Sequence, residues 1–240
     1  MSLEALLLQG VCKKMTAEVI PAILTKKFAT LEESLSRIQG AASFVQIDTV
    51  DGIFAPGKTW PYVDGDEFEK MVAQDKGLPF WEDFDFQFDL MVAHPKEEAL
   101  RFVQAGAASV VIHAAAPGAR EALEFLQEYR AGVSLGAALL PGATVGDLQT
   151  FSGLYDFVQV MGIAEVGAQG SPFDERASAL VAALRAAHPH LRIQVDGGVS
   201  MKNCQALVRA GANALVVGSA IFGSDNPAAA YSALYTKSNA

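Results

Sequence analysis

Two stretches of the sequence, QAGAASVVI from Gln104 to Ile112 and RAGANALVV from Arg209 to Val217, share one pattern that decides the fold class. In each, a helical pattern ends at a glycine, and an apolar, β-branched run follows shortly afterwards. Glycine commonly terminates helices, and a short, continuous apolar run is typical of a strand buried on both faces. The repeated pattern therefore predicts a helix, a turn and a buried strand, as in βαβ units.

The same alternation runs through all 240 residues. Candidate strands are the apolar runs at residues 18–24, 44–48, 86–92, 109–113, 133–139, 156–161, 192–196 and 214–218. Eight strands alternating with helical patterns within about 220 residues favour a (β/α)8 TIM barrel over an open sheet. No GxGxxG follows the first strand, so no nucleotide cofactor is expected. We predict an α/β fold with one TIM-barrel domain over residues 1–240.

Two segments lie outside the regular alternation. Residues 1–16 contain Glu4, lack a basic leader and are too short to span a bilayer, so we interpret them as an amphipathic N-terminal extension. Residues 53–84 form a long loop region after the second strand and carry Trp60. This aromatic loop is either part of a lid or an oligomer contact, and a homo-oligomer stays an open expectation.

Composition excludes several classes of partner. The formal net charge of -9 argues against binding to nucleic acid or an anionic membrane, because those partners require a basic patch. The two cysteines are far apart in sequence, so neither a disulfide framework nor a thiolate metal site is indicated. A reducing, cytoplasmic setting is the expected location.

The carboxyl ends of barrel strands carry the chemistry in this architecture. Polar residues at these ends are Gln46, Asp48, Asp89, His113 and Asp196. Glycine-rich turns follow strands seven and eight, where TIM barrels bind phosphate through backbone N–H groups. These turns contribute Gly197, Gly198, Gly218 and Ser219. A phosphate cradle is predicted here, with tight turns of purely structural role as the alternative.

Several motifs occur in order from about residue 19 to residue 235: IPAIL, VQIDTVDGIFAPGKTW, FDLMV, VIHA, VQVMGI, IQVDGGVSMKN and AGANALVVGSAIFG. Together they resemble the ribulose-phosphate 3-epimerase family. The resemblance implies a barrel of the ribulose-phosphate-binding type and an isomerase of pentose phosphate and carbohydrate metabolism. Members interconvert ribulose 5-phosphate and xylulose 5-phosphate with a divalent metal and two aspartates that act as acid and base.

Carried over residue by residue, the resemblance assigns Asp48 and Asp196 as the acid/base pair. The implied metal ligands are Gln46, Asp48, Asp89 and Asp196. Gln46 and Asp89 stand where the family has histidines, and Ala22 stands where it has a serine that contacts substrate. An all-oxygen ligand set favours Mg²⁺ or Mn²⁺ over Zn²⁺.

The resemblance also suggests supporting residues. Met91 and Met161 match methionines that pack beside the substrate, with core packing as the equal alternative. After strand six, Gly167 and Gln169 are expected to reach the phosphate, although Glu165 would repel it there. His113 is a candidate for a supporting role behind the ligands. The remaining histidines, His94, His188 and His190, are expected at the surface.

The leading hypothesis is thus an epimerase-like enzyme acting on a phosphorylated ketose. A metal-dependent aldol-type reaction on the same scaffold is a second enzymatic possibility; no strand-end lysine is placed to form a Schiff base. The alternative from a different class is a barrel that binds sugar phosphate without catalysis, or an interaction protein that kept the barrel fold.

Overall fold

The computed structural model describes residues 16–167 and 170–240. In this part of the chain, eight parallel strands close a barrel in chain order. Their bounds are β1 Glu18–Ile23, β2 Phe44–Val50, β3 Asp85–Met91, β4 Ser109–His113, β5 Ser134–Leu139, β6 Phe157–Met161, β7 Arg192–Asp196 and β8 Ala214–Val217. Every predicted strand is present, with ends shifted by at most two residues, and the TIM barrel is confirmed.

Helices surround this barrel. They are α1 Phe28–Ser36, α2 Asp66–Val72, α3 Pro95–Gln104, α4 Ala119–Leu126, α5 Arg176–Ala187, α6 Cys204–Ala210, α7 Ser219–Phe222 and α8 Pro227–Ser238. The 3₁₀ segment Gln127–Tyr129 extends α4. A second 3₁₀ segment, Val145–Phe151, takes the place of a helix between β5 and β6. None of the helices in residues 16–167 and 170–240 has the length and apolar character needed to cross a bilayer.

The two repeated stretches fold as their pattern predicts. Gly106 follows α3 with φ +103°, and Gly211 follows α6 with φ +118°. Only glycine adopts this backbone region readily, so each glycine ends its helix and turns the chain toward the next strand.

The region 53–84 differs from the expected long loop because α2 lies within it. Trp60 is fully buried, 5.9 Å from the ring of Phe28 and 5.5 Å from the ring of Phe68, measured between centroids. The Trp60 side chain is therefore a core residue, and a lid or oligomer contact formed by the rest of the loop stays a prediction. Its partners come from α1 and α2, so its burial is a tertiary effect that the loop's own sequence does not show.

The barrel interior is divided between an apolar and a polar side. Ile20 and Ala22 of β1 pack with Ala214 and Val216 of β8. Strands β2, β3, β6 and β7 place buried glutamine and aspartate side chains inside instead. This polar side positions the candidate site. The predicted N-terminal extension is not tested here, because residues 1–15 lie outside the described part of the chain.

Candidate active site

Three buried carboxylates meet at the carboxyl end of the barrel. Asp48 pairs with Asp89 across β2 and β3, and β7 ends at Asp196. Their exposed fractions are 8%, 0% and 7%. One carboxylate oxygen from each lies within 4.8 Å of the others. Strand register thus brings together three charged groups that are 41 to 148 residues apart in sequence.

Gln46 lies directly below Asp48 on β2, because alternate residues of a strand share a face. Its amide nitrogen donates to Oδ1 of Asp48 and to Oδ2 of Asp196, both at 2.7 Å. Its amide oxygen accepts from Nε2 of Gln87 at 2.6 Å, and the hydroxyl of Ser109 donates to the oxygen of Gln87 at 3.2 Å. The two carboxylates are therefore bridged by one neutral donor.

Gln159 makes a second bridge of the same kind. Its amide nitrogen donates to Oδ2 of Asp89 at 3.0 Å and to Oδ2 of Asp196 at 3.2 Å. Its oxygen accepts from Nε2 of Gln194 at 2.5 Å. We call Gln46, Gln87, Gln159 and Gln194 the glutamine layer; all four are at most 1% exposed.

His113 supports the third carboxylate from β4. Its Nε2 lies 2.8 Å from Oδ1 of Asp89, and the residue is 1% exposed. The ring of Phe54 covers it at a centroid distance of 5.2 Å. This geometry fits the supporting role expected for His113. His94, His188 and His190 are exposed, as expected.

Burial raises the pKa of two of the carboxylic acids. For Asp48, loss of hydration raises the pKa well above its usual range, and the charges of Asp196 and Asp89 add to the shift. For Asp196, burial and then the charge of Asp89 raise the pKa to about 7, although the hydrogen bond from Gln46 opposes this. Without a cation, the cluster therefore favours retaining a proton near neutral pH.

A cavity lies above the carboxylates. Residues singled out from the sequence that line it are Ala22, Asp48, Met91, Met161, Gly167, Asp196, Gly197, Gly198, Gly218 and Ser219. The two methionines are each 2% exposed, so they pack in the core and border the cavity at once. The structure thus gathers the acidic strand ends and the glycine turns around one space.

Gly198 has a geometric reason to be glycine. Its φ is +66°, and a Cβ added there would lie 2.8 Å from Cα of Phe173, inside van der Waals contact. Among described residues, the N–H groups of Gly198 and Ser219 have no backbone acceptor. These groups therefore remain available to a ligand at the cavity edge.

Asp51 has a structural role at the start of the loop after β2. Its Oδ1 accepts from the N–H groups of Ile53 and Phe54, and its Oδ2 accepts from the N–H of Ala93 at 2.7 Å. These bonds connect the loops that follow β2 and β3, so Asp51 fixes part of the rim above Asp48 and Asp89.

The loop after β6 matches its predicted role only in part. Gly167 lines the cavity, whereas Gln169 lies outside the described residues. Glu165 is exposed and borders a separate surface depression with Phe173 and Asp174. The expected repulsion of phosphate by Glu165 stays a prediction.

The carboxylate cluster suits a hard divalent cation, because all three side chains offer oxygen. Asp48, Asp89 and Asp196, three of the four predicted ligands, lie together in this cluster. The fourth, Gln46, presents its nitrogen to the carboxylates, and its oxygen is engaged by Gln87. In this orientation Gln46 is a hydrogen-bond donor to the carboxylates, and its assignment as a metal ligand stays a prediction.

Gln87, Gln159 and Gln194 were not among the site residues predicted from the sequence. A signal for them was present, because QID, QFD and QVD occur in β2, β3 and β7, and QVM ends β6. A glutamine two positions before an inward-facing residue of a strand points to the same interior face. The repetition therefore predicts a second polar level inside the barrel.

The family model described as the ribulose-phosphate 3 epimerase family matches residues 18–222. Ribulose-phosphate 3-epimerase of Schizosaccharomyces pombe is 28% identical over 212 residues, covering 88% of this chain and 89% of the relative. The Eremothecium gossypii protein of the same name is 32% identical over 212 residues, covering 85% of each.

Solved structures agree in fold. A 3-hexulose-6-phosphate synthase superposes with a TM-score of 0.65 at 22% identity, over 92% of this chain and 99% of the other. The orotidine 5'-phosphate decarboxylase of Pyrococcus horikoshii gives a TM-score of 0.61 at 16% identity, over 92% of this chain and 99% of the other. From its own sequence matches, the chain belongs to the ribulose-phosphate 3-epimerase family.

Proposed function

We propose that this protein epimerises a phosphorylated ketose of the ribulose 5-phosphate type at the carbon next to the carbonyl. The observation that carries the proposal is the convergence of Asp48 and Asp196 on one cavity that also ends in glycine turns. Family membership supports the same reaction class.

Epimerisation requires one group to remove a proton and another to return a proton to the opposite face. Asp48 and Asp196 come from β2 and β7, so they approach the cavity from different strands. Burial raises the pKa of both acids. The charge of Asp196 adds to the shift of Asp48, and the charge of Asp89 adds to the shift of Asp196, which favours a state in which one carboxyl group of the cluster is protonated while another is ionised. That asymmetric state is the one that a two-carboxylate proton transfer uses.

A divalent cation would be held by Asp48, Asp89 and Asp196, and Mg²⁺ or Mn²⁺ suits their oxygen ligands better than Zn²⁺. When bound, it would supply Lewis-acid stabilisation of the negative charge that develops on the substrate oxygen. His113, Gln46 and Gln159 hold the carboxylates from behind.

The phosphate group would bind at the glycine turns that line the same cavity. Gly197, Gly198, Gly218 and Ser219 offer backbone N–H groups there. Among the described residues that line the cavity, the acidic side chains are those of Asp48 and Asp196, which lie deeper than the turns. Met91 and Met161 would contact the carbon chain between the two ends.

A coupled assay that detects xylulose 5-phosphate from ribulose 5-phosphate tests the proposal, with protein supplied with Mn²⁺. We expect turnover by the wild type and a loss of about 10³-fold in kcat for Asp196→Asn. Absence of activity in the wild type, or equal activity in the variant, would refute the proposed reaction.

The same samples separate a binder from an enzyme. If ribulose 5-phosphate raises Tm without turnover, the chain binds sugar phosphate but is not an epimerase for it. Cleavage of the sugar into two shorter products would instead indicate an aldol-type reaction.

A further inference from the structure

We propose that Gln159 is a positioning residue for Asp89 and Asp196, and that Gln194 fixes its orientation. This inference rests on the proposed function, and it assigns a role to a side chain that the sequence interpretation left without one. Gln159 lies inside the barrel on β6, two residues before the cavity residue Met161.

The contacts of Gln159 are divided by chemistry. Its amide nitrogen lies 3.0 Å from Oδ2 of Asp89 and 3.2 Å from Oδ2 of Asp196, with the sulfur of Met161 at 3.3 Å. Its oxygen accepts from Nε2 of Gln194 at 2.5 Å. An amide has two donors on nitrogen and an acceptor oxygen, so this arrangement uses each end for the partner that it suits. Turning the amide over would place its oxygen against two carboxylates.

The two glutamines bridge different pairs of carboxylates. Gln46 joins Asp48 to Asp196, whereas Gln159 joins Asp196 to Asp89. Oδ2 of Asp196 accepts from both amides and is therefore the common point of the two bridges. The pair of glutamines together fixes all three carboxylates relative to one another.

Some carboxylate oxygens remain unbonded to the glutamine layer. Gln46 bonds to Oδ1 of Asp48 and Gln159 bonds to Oδ2 of Asp196, and neither amide bonds to Oδ2 of Asp48 or Oδ1 of Asp196. The amides thus hold these two carboxylates from below, and each keeps an oxygen for a cation or a substrate proton. Outer groups that orient ligands in this way typically change metal affinity or activity by about 10- to 100-fold when removed.

A three-variant experiment tests this role. Gln159→Leu removes both donors at similar size, and Gln194→Leu removes only the donor to the oxygen of Gln159. Val158→Ala is the control: Val158 is the fully buried neighbour of Gln159 on the same strand, and its side chain packs in the core between strands and helices. Folding is checked by circular dichroism and Tm, Mn²⁺ affinity by calorimetry, and kcat and KM with ribulose 5-phosphate.

We expect Gln159→Leu to weaken Mn²⁺ binding by about tenfold and to lower kcat by about 10- to 100-fold, with KM changed by less than about twofold. Gln194→Leu should lie between this variant and the wild type. Val158→Ala should lower Tm while leaving Mn²⁺ affinity and kcat close to wild type. A merely structural Gln159 would instead behave like the control, and that result would overturn the inference.

The outcomes separate this inference from the proposed reaction. A wild type that binds Mn²⁺ but lacks epimerase activity refutes the reaction, and weaker Mn²⁺ binding by Gln159→Leu still supports positioning. An active wild type with an unaffected Gln159→Leu refutes only the positioning role. A wild type without Mn²⁺ binding or activity overturns both.

Discussion

Two regions line the cavity, an acidic edge formed by side chains and a glycine edge formed by backbone groups. The acidic edge uses side chains: Asp48, Asp89 and Asp196 are buried and held by neutral amides. The glycine edge uses backbone groups, and a Cβ at Gly198 would lie too close to Phe173. A side-chain site changes its chemistry with each substitution, whereas a backbone site depends mainly on whether the turn can form.

The largest expected effect breaks the acidic edge. Asp48→Asn keeps the size of the residue but removes its charge and basicity, so we expect kcat to fall by about 10³-fold. The matched control is Asp85→Asn, because Asp85 is exposed at the other end of β3. Steady-state kinetics with ribulose 5-phosphate provide the measurement. Similar losses in both variants would argue against a specific role for Asp48.

The next effect breaks the glycine edge. Gly198→Ala adds a Cβ at φ +66° and 2.8 Å from Phe173, so we expect a loss of about 1–3 kcal/mol in the free energy of unfolding and a raised KM. Gly40→Ala is the control, because Gly40 has φ +75° but no atom within 4 Å of the added Cβ. Denaturant unfolding and kinetics distinguish the two variants. Equal stability loss and unchanged KM in both would remove the argument for close approach at Gly198.

A smaller effect concerns protonation of the acidic edge. The pKa of Asp196 is raised to about 7 in the folded chain, so the folded state binds an extra proton between about pH 4 and 7. This stabilisation is complete below the unfolded pKa and is lost as pH rises through about 7. We expect Tm of chelator-treated protein to fall as the pH rises from about 4 to 7, and to fall further in the wild type than in Asp196→Asn. The difference between the two falls should be on the order of 5 °C.

Parallel slopes of Tm against pH in the two proteins would contradict the raised pKa of Asp196. Measurements at one ionic strength and in one buffer series keep surface charges equal in both proteins. The glycine turns have no titrating side chain of their own, so Gly198→Ala should retain the slope of the wild type.

The smallest expected effect tests whether the glycine edge binds its ligand through backbone N–H groups. Ser219→Ala removes the hydroxyl but keeps the N–H at the start of α7, so KM should change by less than about threefold. Thermal shift with inorganic phosphate and steady-state kinetics check this. A tenfold rise in KM would show that the side chain itself binds the ligand.

The barrel was predictable from sequence because its strands are buried on both faces and therefore form continuous apolar runs. The turns at Gly106 and Gly211 were equally clear, since their conformation requires glycine. α2 was missed in the region 53–84: Gly65 provides no side-chain cap, and only Phe68 and Met71 of the helix are buried. α2 is stabilised by contacts of Phe68 with the rings of Trp60 and Phe102, which its own sequence does not show.

The sequence predicted which residues of the candidate site lie together, but it did not predict how their side chains are oriented. Strand ends placed Asp48, Asp89 and Asp196 together, and the structure agrees. The orientation of Gln46 depends on Gln87, a hydrogen bond between strands that no local pattern encodes. The assignment of Gln46 as a ligand stays a prediction for this reason, and the present geometry favours a donor role.

The glutamine layer also offers a spectroscopic consequence. Four side-chain amides are shielded from solvent beneath a cluster of carboxylates, so their NH₂ protons should exchange slowly and resonate apart from those of surface glutamines. Two of these amides bond directly to the carboxylates. Their nitrogen and proton chemical shifts would therefore report cation binding or protonation at the barrel mouth, without any label in the cavity itself.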